Sequence, residues 1–115
     1  LPLLKDRAAN DDSWAVRQVA VQELARGWKG DPDTLPLLKD RAANDDSWAV
    51  RQAALQELAR GWNDDPDTLP LLKDRAANDD DNNVRQAAVQ ELKRGWKDDP
   101  ETMVWLKELP ARNDA

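Results

Sequence analysis

Apolar residues recur along this chain at helical spacing. Leu35, Leu38 and Ala42 fall at i, i+3 and i+7, with Leu37 beside them, which is one stripe of a short amphipathic helix. Val50, Ala54 and Leu58 fall at i, i+4 and i+8 and mark the buried line of a second helix. Between them Asn44-Asp45-Asp46-Ser47 breaks the pattern, and Ser47 is suited to be the N-cap of the second helix. Asp33 or Thr34 is placed to cap the first helix, which leaves Pro36 in its first turn, where the missing N–H costs nothing. Gly61 is expected to take the left-handed conformation that ends the second helix, and Asp65-Pro66 prevents immediate resumption. Arg60 sits in the last turn, where a cation suits the helix dipole. No stretch alternates apolar and polar residues over a strand's length, so the pattern predicts an all-α fold.

The pattern repeats every 34 residues without gaps. Copies 1–34 and 35–68 differ at four positions, Val19/Ala53, Val21/Leu55, Lys29/Asn63 and Gly30/Asp64. Copy 69–102 departs from the second at seven, Ser47/Asp81, Trp48/Asn82, Ala49/Asn83, Leu55/Val89, Ala59/Lys93, Asn63/Lys97 and Asp67/Glu101. A partial fourth copy occupies 103–115, so residues 1–115 read as one array of seven helices, the last over 101–109 and closed by Pro110. Neither helix of a pair can bury its stripe alone; the copies must stack, and a solenoid results.

Composition narrows the chemistry. The 115 residues contain neither cysteine nor histidine, which removes disulfides, thiol nucleophiles, Cys/His zinc sites and imidazole acid–base catalysis. No apolar run approaches the roughly 20 residues of a membrane helix. The net charge of −6 disfavours nucleic acid, whose phosphates select clustered Lys and Arg. The acidic loops, such as Asp64-Asp65-Pro66-Asp67, lack the alternating order and distal Glu of a calcium loop. We therefore expect no metal, no cofactor, no membrane and no nucleic acid, and a cytoplasmic, non-enzymatic binding protein.

The 34-residue period suits tetratricopeptide repeats, yet their Gly and Tyr in the first helix and Phe in the second are missing, Tyr and Phe being absent altogether. Asp45-Asp46-Ser47-Trp48-Ala49-Val50-Arg51-Gln52-Ala53-Ala54 with Leu58 instead resembles the Asp-x4-Val-Arg-x2-Ala-x3-Leu signature of short HEAT-like repeats, the kind named after phycobilisome lyases. The match recurs from Asp11 to Leu24 and from Asp79 to Leu92. The resemblance implies a right-handed solenoid of stacked helix hairpins. It also implies that Arg17, Arg51 and Arg85 join neighbouring repeats in a ladder with aspartates and loop carbonyls. Nearly identical arrays of this kind resemble the repeat regions of large bacterial signalling ATPases, which makes an excised piece of a longer array one reading. An engineered consensus scaffold is another, although Asn82-Asn83 and Met103-Val104-Trp105 are irregular for one.

In HEAT-like solenoids the second helices line the concave surface. With Val50 at 0° on a helical wheel, the core line centres near 40°, and Trp48, Ala59, Gln52 and Gln56 lie at about 160°, 180°, 200° and 240°. That pole should face the groove. Trp14, Gln18 and Gln22, Trp48, Gln52 and Gln56, and Asn82, Gln86 and Gln90 are thus the candidate binding residues, aromatic anchors among adaptable amides. The alternative is that Trp14 and Trp48 pack sideways between repeats. Trp28, Trp62 and Trp96 follow the helix-ending glycines and should be more buried lids.

The function expected is a protein–protein interaction scaffold or sensor module with a protein or peptide ligand. Two other classes compete through the resemblance: a bilin lyase-like enzyme, for which only ladder carboxylates are at hand, and a HEAT-like DNA-binding protein, for which the groove is amide-rich and the protein acidic. Both apolar ends of the array also invite end-to-end self-association.

Overall fold

A computed structural model describes the backbone of residues 2–113 and the side chains of residues 3–109. Among the described residues seven helices follow one another: α1 Pro2–Asn10, α2 Trp14–Gly27, α3 Thr34–Asn44, α4 Trp48–Gly61, α5 Thr68–Asn78, α6 Asn82–Gly95 and α7 Pro100–Asn113. Among the described residues there is no strand, and no helix is long and apolar enough to cross a membrane. The first and second helices pair as hairpins α1/α2, α3/α4 and α5/α6, and α2, α4 and α6 lie side by side in series. This layering gives a slab of 42 × 27 × 16 Å. The fold is a helical solenoid.

The two apolar stripes meet inside each hairpin. Leu38 and Ala42 of α3 and Val50, Ala54 and Leu58 of α4 are fully buried, as are Leu72 and Ala76 with Val84, Ala88 and Leu92 one copy later. Leu55 and Val21 are buried as well, where successive second helices touch. Burying leucines and valines across every copy is the main stabilising contribution, about 1.5–3 kcal/mol for each fully covered side chain.

Charged side chains form three parallel series, of which the Arg–Asp and Arg–Glu series bind one copy to the next and the Lys–Asp series ties the two ends of a single copy. The Arg17 guanidinium donates from Nε and Nη2 to Asp45 Oδ2 and Oδ1, both at 3.1 Å, from Nη2 to Asp46 Oδ1 at 2.9 Å, and from Nη1 to the Asp11 carbonyl at 2.6 Å. Arg51 repeats this pattern with Asp79, Asp80 and the Asp45 carbonyl. This is the ladder the resemblance implied. Arg85, the last rung, donates to the Asp79 carbonyl, and among the described residues no carboxylate faces it from a following copy. Lys5 and Lys39 reach Asp31/Asp33 and Asp65/Asp67, and Arg26 and Arg60 reach Glu57 and Glu91.

Several terminal details differ from expectation. Asp33 is the N-cap residue of α3, but its side chain makes no capping bond. Asp31 Oδ1 instead accepts the Asp33 N–H at 2.9 Å, and the buried Thr34 hydroxyl donates to the Trp28 carbonyl at 2.7 Å, so the turn is closed from two residues further out. Ser47 is the N-cap residue of α4 without a side-chain capping bond, whereas Ser13 Oγ accepts from Val16 N–H at 3.4 Å. No glycine has positive φ. Gly27, Gly61 and Gly95 are the last residues of their helices, and the caps are Trp28, Trp62 and Trp96, with φ between −125° and −135°, ψ between 28° and 40°, and N–H groups bonded back to Leu24, Leu58 and Leu92. The left-handed ending assigned to Gly61 is therefore incorrect, because a bond from the next N–H closes the helix without it. Nor does Pro110 close α7, which continues to Asn113. Proline's φ is helical, so its position forfeits one backbone bond without forcing a stop.

Candidate functional site

The loop before each second helix sets the site. Asp11 Oδ1 accepts the Ser13 N–H and Asp45 Oδ1 accepts the Ser47 N–H, each at 2.9 Å, fixing where α2 and α4 begin. Trp14 and Trp48 are the first residues of those helices. Helical side chains lean back toward the N-terminus, so both indoles overhang the helix starts rather than entering the core. They are 53% and 44% exposed. Gln18 lies one turn after Trp14, and Gln52 and Gln56 lie one and two turns after Trp48, which brings indole and amides onto one face.

Two adjoining cavities share the tryptophan pair. The first, about 320 Å³, is lined by Trp14, Gln18, Trp48, Ala49, Gln52, Ala53 and Gln56, with the two alanines providing depth. The second, about 460 Å³, is lined by Asp12, Trp14, Arg17, Asp46, Ser47, Trp48 and Ala49. The Arg17 charge is committed to Asp45 and Asp46, while Asp12 has no polar partner among the described residues. Burial alone would raise the Asp45 carboxyl's pKa. Hydrogen bonds from Arg17 and the Ser47 N–H, with the charges of Arg17 and Arg41, more than offset it and hold the carboxyl below the usual range.

Five of the nine candidate residues thus come together: Trp14, Gln18, Trp48, Gln52 and Gln56. Gln22, Asn82, Gln86 and Gln90 do not line this cavity; the last three are exposed on α6, where asparagines replace the aromatic and small residues of the other copies. Two expectations fail here. Ala59, assigned to the groove pole, is buried at 2% because α4 lies between α2 and α6. Its counterpart Lys93 is exposed because no second helix follows α6 among the described residues. Trp28, expected to be a buried lid, is 41% exposed. Trp62 has the Lys29 ammonium 5.1 Å above its ring, contributed by the copy before, and nothing equivalent precedes Trp28 among the described residues. Trp62 and Trp96 are partly buried against the core, as expected.

Glu57 and Glu91, which receive Arg26 and Arg60 from the preceding copy, were missed in the sequence. The signal was available: opposite charges recur at a constant offset of 31 residues, which is a neighbouring copy displaced by one helical turn.

Stacked hairpins, a ladder of arginines on aspartates and the Val-Arg signature all coincide with one sequence profile. The profile of HEAT repeats matches residues 1–93. The chain belongs to the HEAT-repeat family. No curated protein and no solved structure matches this HEAT-repeat chain at a significant level. HEAT repeats generally mediate protein–protein interaction.

Proposed function

We propose that this HEAT-repeat chain is a non-enzymatic interaction scaffold or sensor module that takes a protein or peptide across the exposed face of its second helices. The observation that carries the reading is the shared cavity at Trp14 and Trp48, two large apolar rings left half in water beside amides that can bond a peptide backbone in either sense. Exposed aromatics clustered in a polar surround are the usual anchors of protein interfaces. The test is an unbiased displayed peptide library selected on the wild-type chain. Selected peptides should lose at least tenfold in affinity on Trp48→Asn, and peptides that bind the variant as well as the wild type would overturn the reading.

End-to-end self-association is a second proposal, favoured by the N-terminal end. Leu4, Arg7, Ala15, Val16, Val19 and Ala20 line an almost wholly apolar hollow there, and Val19 is 57% exposed where Ala53 and Ala87 are buried. Among the described residues Glu23 and Asp12 lack the partners that Glu57 and Asp46 receive from a preceding copy, while Arg85, Lys93 and Arg94 stand at the opposite end. A second chain would repeat the ladder between molecules. α7 packs on α5 and α6 where the first helix of a following copy would lie, so α2 of the next chain meets α6 only with α7 displaced from that place. Sedimentation should show concentration-dependent association that Val19→Asp abolishes; one species at all concentrations would refute it.

A further inference from the structure

The tryptophans of this chain divide by what lies over their rings. Lys29 Nζ sits 5.1 Å from the centroid of Trp62, and Lys73 Nζ sits 5.7 Å from that of Trp105. Both are cation–π contacts, the attraction of an ammonium to the negative face of an indole. Trp14 and Trp48 have no such cation among the described residues. They border a cavity whose remaining ionic side chains are Asp12, Asp46 and the already committed Arg17. Asp46 keeps one carboxylate edge toward water, its side chain being 93% exposed despite the bond to Arg17. Two open indole faces beside carboxylates match one ligand chemistry, a cation on a flexible apolar stem.

Resting on the groove reading above, we propose that the partner is a basic, extended peptide whose Lys or Arg side chains lie over Trp14 and Trp48. The charged heads meet Asp12 and Asp46, and the peptide's amides meet Gln18, Gln52 and Gln56. Successive second helices pack about 8–10 Å apart. A peptide in the polyproline II conformation advances about 3.1 Å per residue with three residues per turn, so every third side chain faces the same way and one turn matches one copy. Basic residues at every third position would therefore place one head at each tryptophan. The third copy, with Asn82 in place of the indole, ends the aromatic track. A purely acidic surface would bind any cation diffusely, whereas this one requires the rings as well.

The probes are three peptides of nine residues on a Gly/Ser frame, carrying Lys, Gln or Glu at every third position, titrated by calorimetry and tryptophan emission at low and high salt. The Lys peptide should bind at least tenfold tighter than the other two and weaken with salt. Trp48→Asn and Asp12→Asn should each weaken it at least fivefold, with helical circular dichroism unchanged, and Asp98→Asn, an exposed acid in a different loop, should leave it within twofold. Equal binding of the Gln or Glu peptide, still dependent on Trp48, would overturn the cation inference and leave the groove standing. A Lys peptide indifferent to Trp48→Asn, or as sensitive to Asp98→Asn as to Asp12→Asn, would reduce the effect to net charge and overturn it too. Failure of all three peptides at millimolar concentration also overturns it, and the library selection then judges the groove independently.

Discussion

At Trp48 and Trp62 one residue type does two jobs, and removal should separate them. Trp48 is 44% exposed at a helix start, and the third copy already accommodates Asn82 there. Trp48→Asn should therefore cost less than about 1 kcal/mol in urea unfolding. Trp62 packs against the core beneath Lys29, and Trp62→Ala should cost about 2 kcal/mol or more. The ladder gives a sharper contrast. Arg51 satisfies Asp79, whose side chain is fully buried, whereas Arg85 bonds only a carbonyl among the described residues. Arg51→Met should cost about 3 kcal/mol, because it strips a buried carboxylate of its main partner, and Arg85→Met about 1 kcal/mol. Burial raises the pKa of Asp79, but bonds from Arg51 and the Asp81 N–H, with the charges of Arg51 and Arg75, bring it below the ordinary value. A carboxyl depressed in the folded state contributes stability above its unfolded pKa, about 3.9, and loses it as pH falls through the folded value. Thermal melts should therefore show stability falling below about pH 4, with a shallower fall in Arg51→Met.

For the helices, the instructive feature is how they end. Gly27 terminates α2 with negative φ, and a Cβ added there would meet nothing within 4 Å. The glycine is thus not needed for geometry, and it carries only the entropic cost of an unrestricted backbone in the unfolded chain. Gly27→Ala should stabilise by about 0.5 kcal/mol, read as a raised urea midpoint at unchanged slope. A loss of stability would mean that the end of α2 visits left-handed conformations that the glycine serves. Helix starts are held by Asp31, Asp45 and Asp79, which sit two residues before the N–H they accept. These are Asx turns, and they explain why an aspartate stands two residues before each of these formal N-caps.

Across the whole molecule, contacts run between neighbours in sequence, so stability should be graded along the stack. α4 is packed by α3 on one side and by α2 and α6 on its flanks, and it buries Val50, Arg51, Ala53, Ala54, Leu55, Leu58 and Ala59. α1 and α7 each lack a flanking hairpin among the described residues. Amide hydrogen exchange should then be slowest in α4, intermediate in α2 and α6, and fastest in α1 and α7. Uniform protection would show that the array opens as one cooperative unit.

The sequence by itself determined the helices, their pairing and their buried stripes, because period, caps and core residues are local signals that recur in every copy. Leu38, Ala42, Val50, Ala54 and Leu58 were legible in this way. So was the Arg17 and Arg51 ladder, whose residues carry the family's signature. A helical wheel, however, knows one helix and one core, and α4 has neighbours on both flanks; only stacking decided that Ala59 is buried while its counterpart Lys93 is exposed. The same cause separates Trp28 from Trp62, alike in the helix that precedes them yet uncovered or covered according to whether a lysine of a preceding copy, Lys29 for Trp62, lies above. That Trp14 and Trp48 share one cavity while Gln86 and Gln90 stand apart is likewise tertiary, since a cavity forms only where adjacent helices both carry its walls.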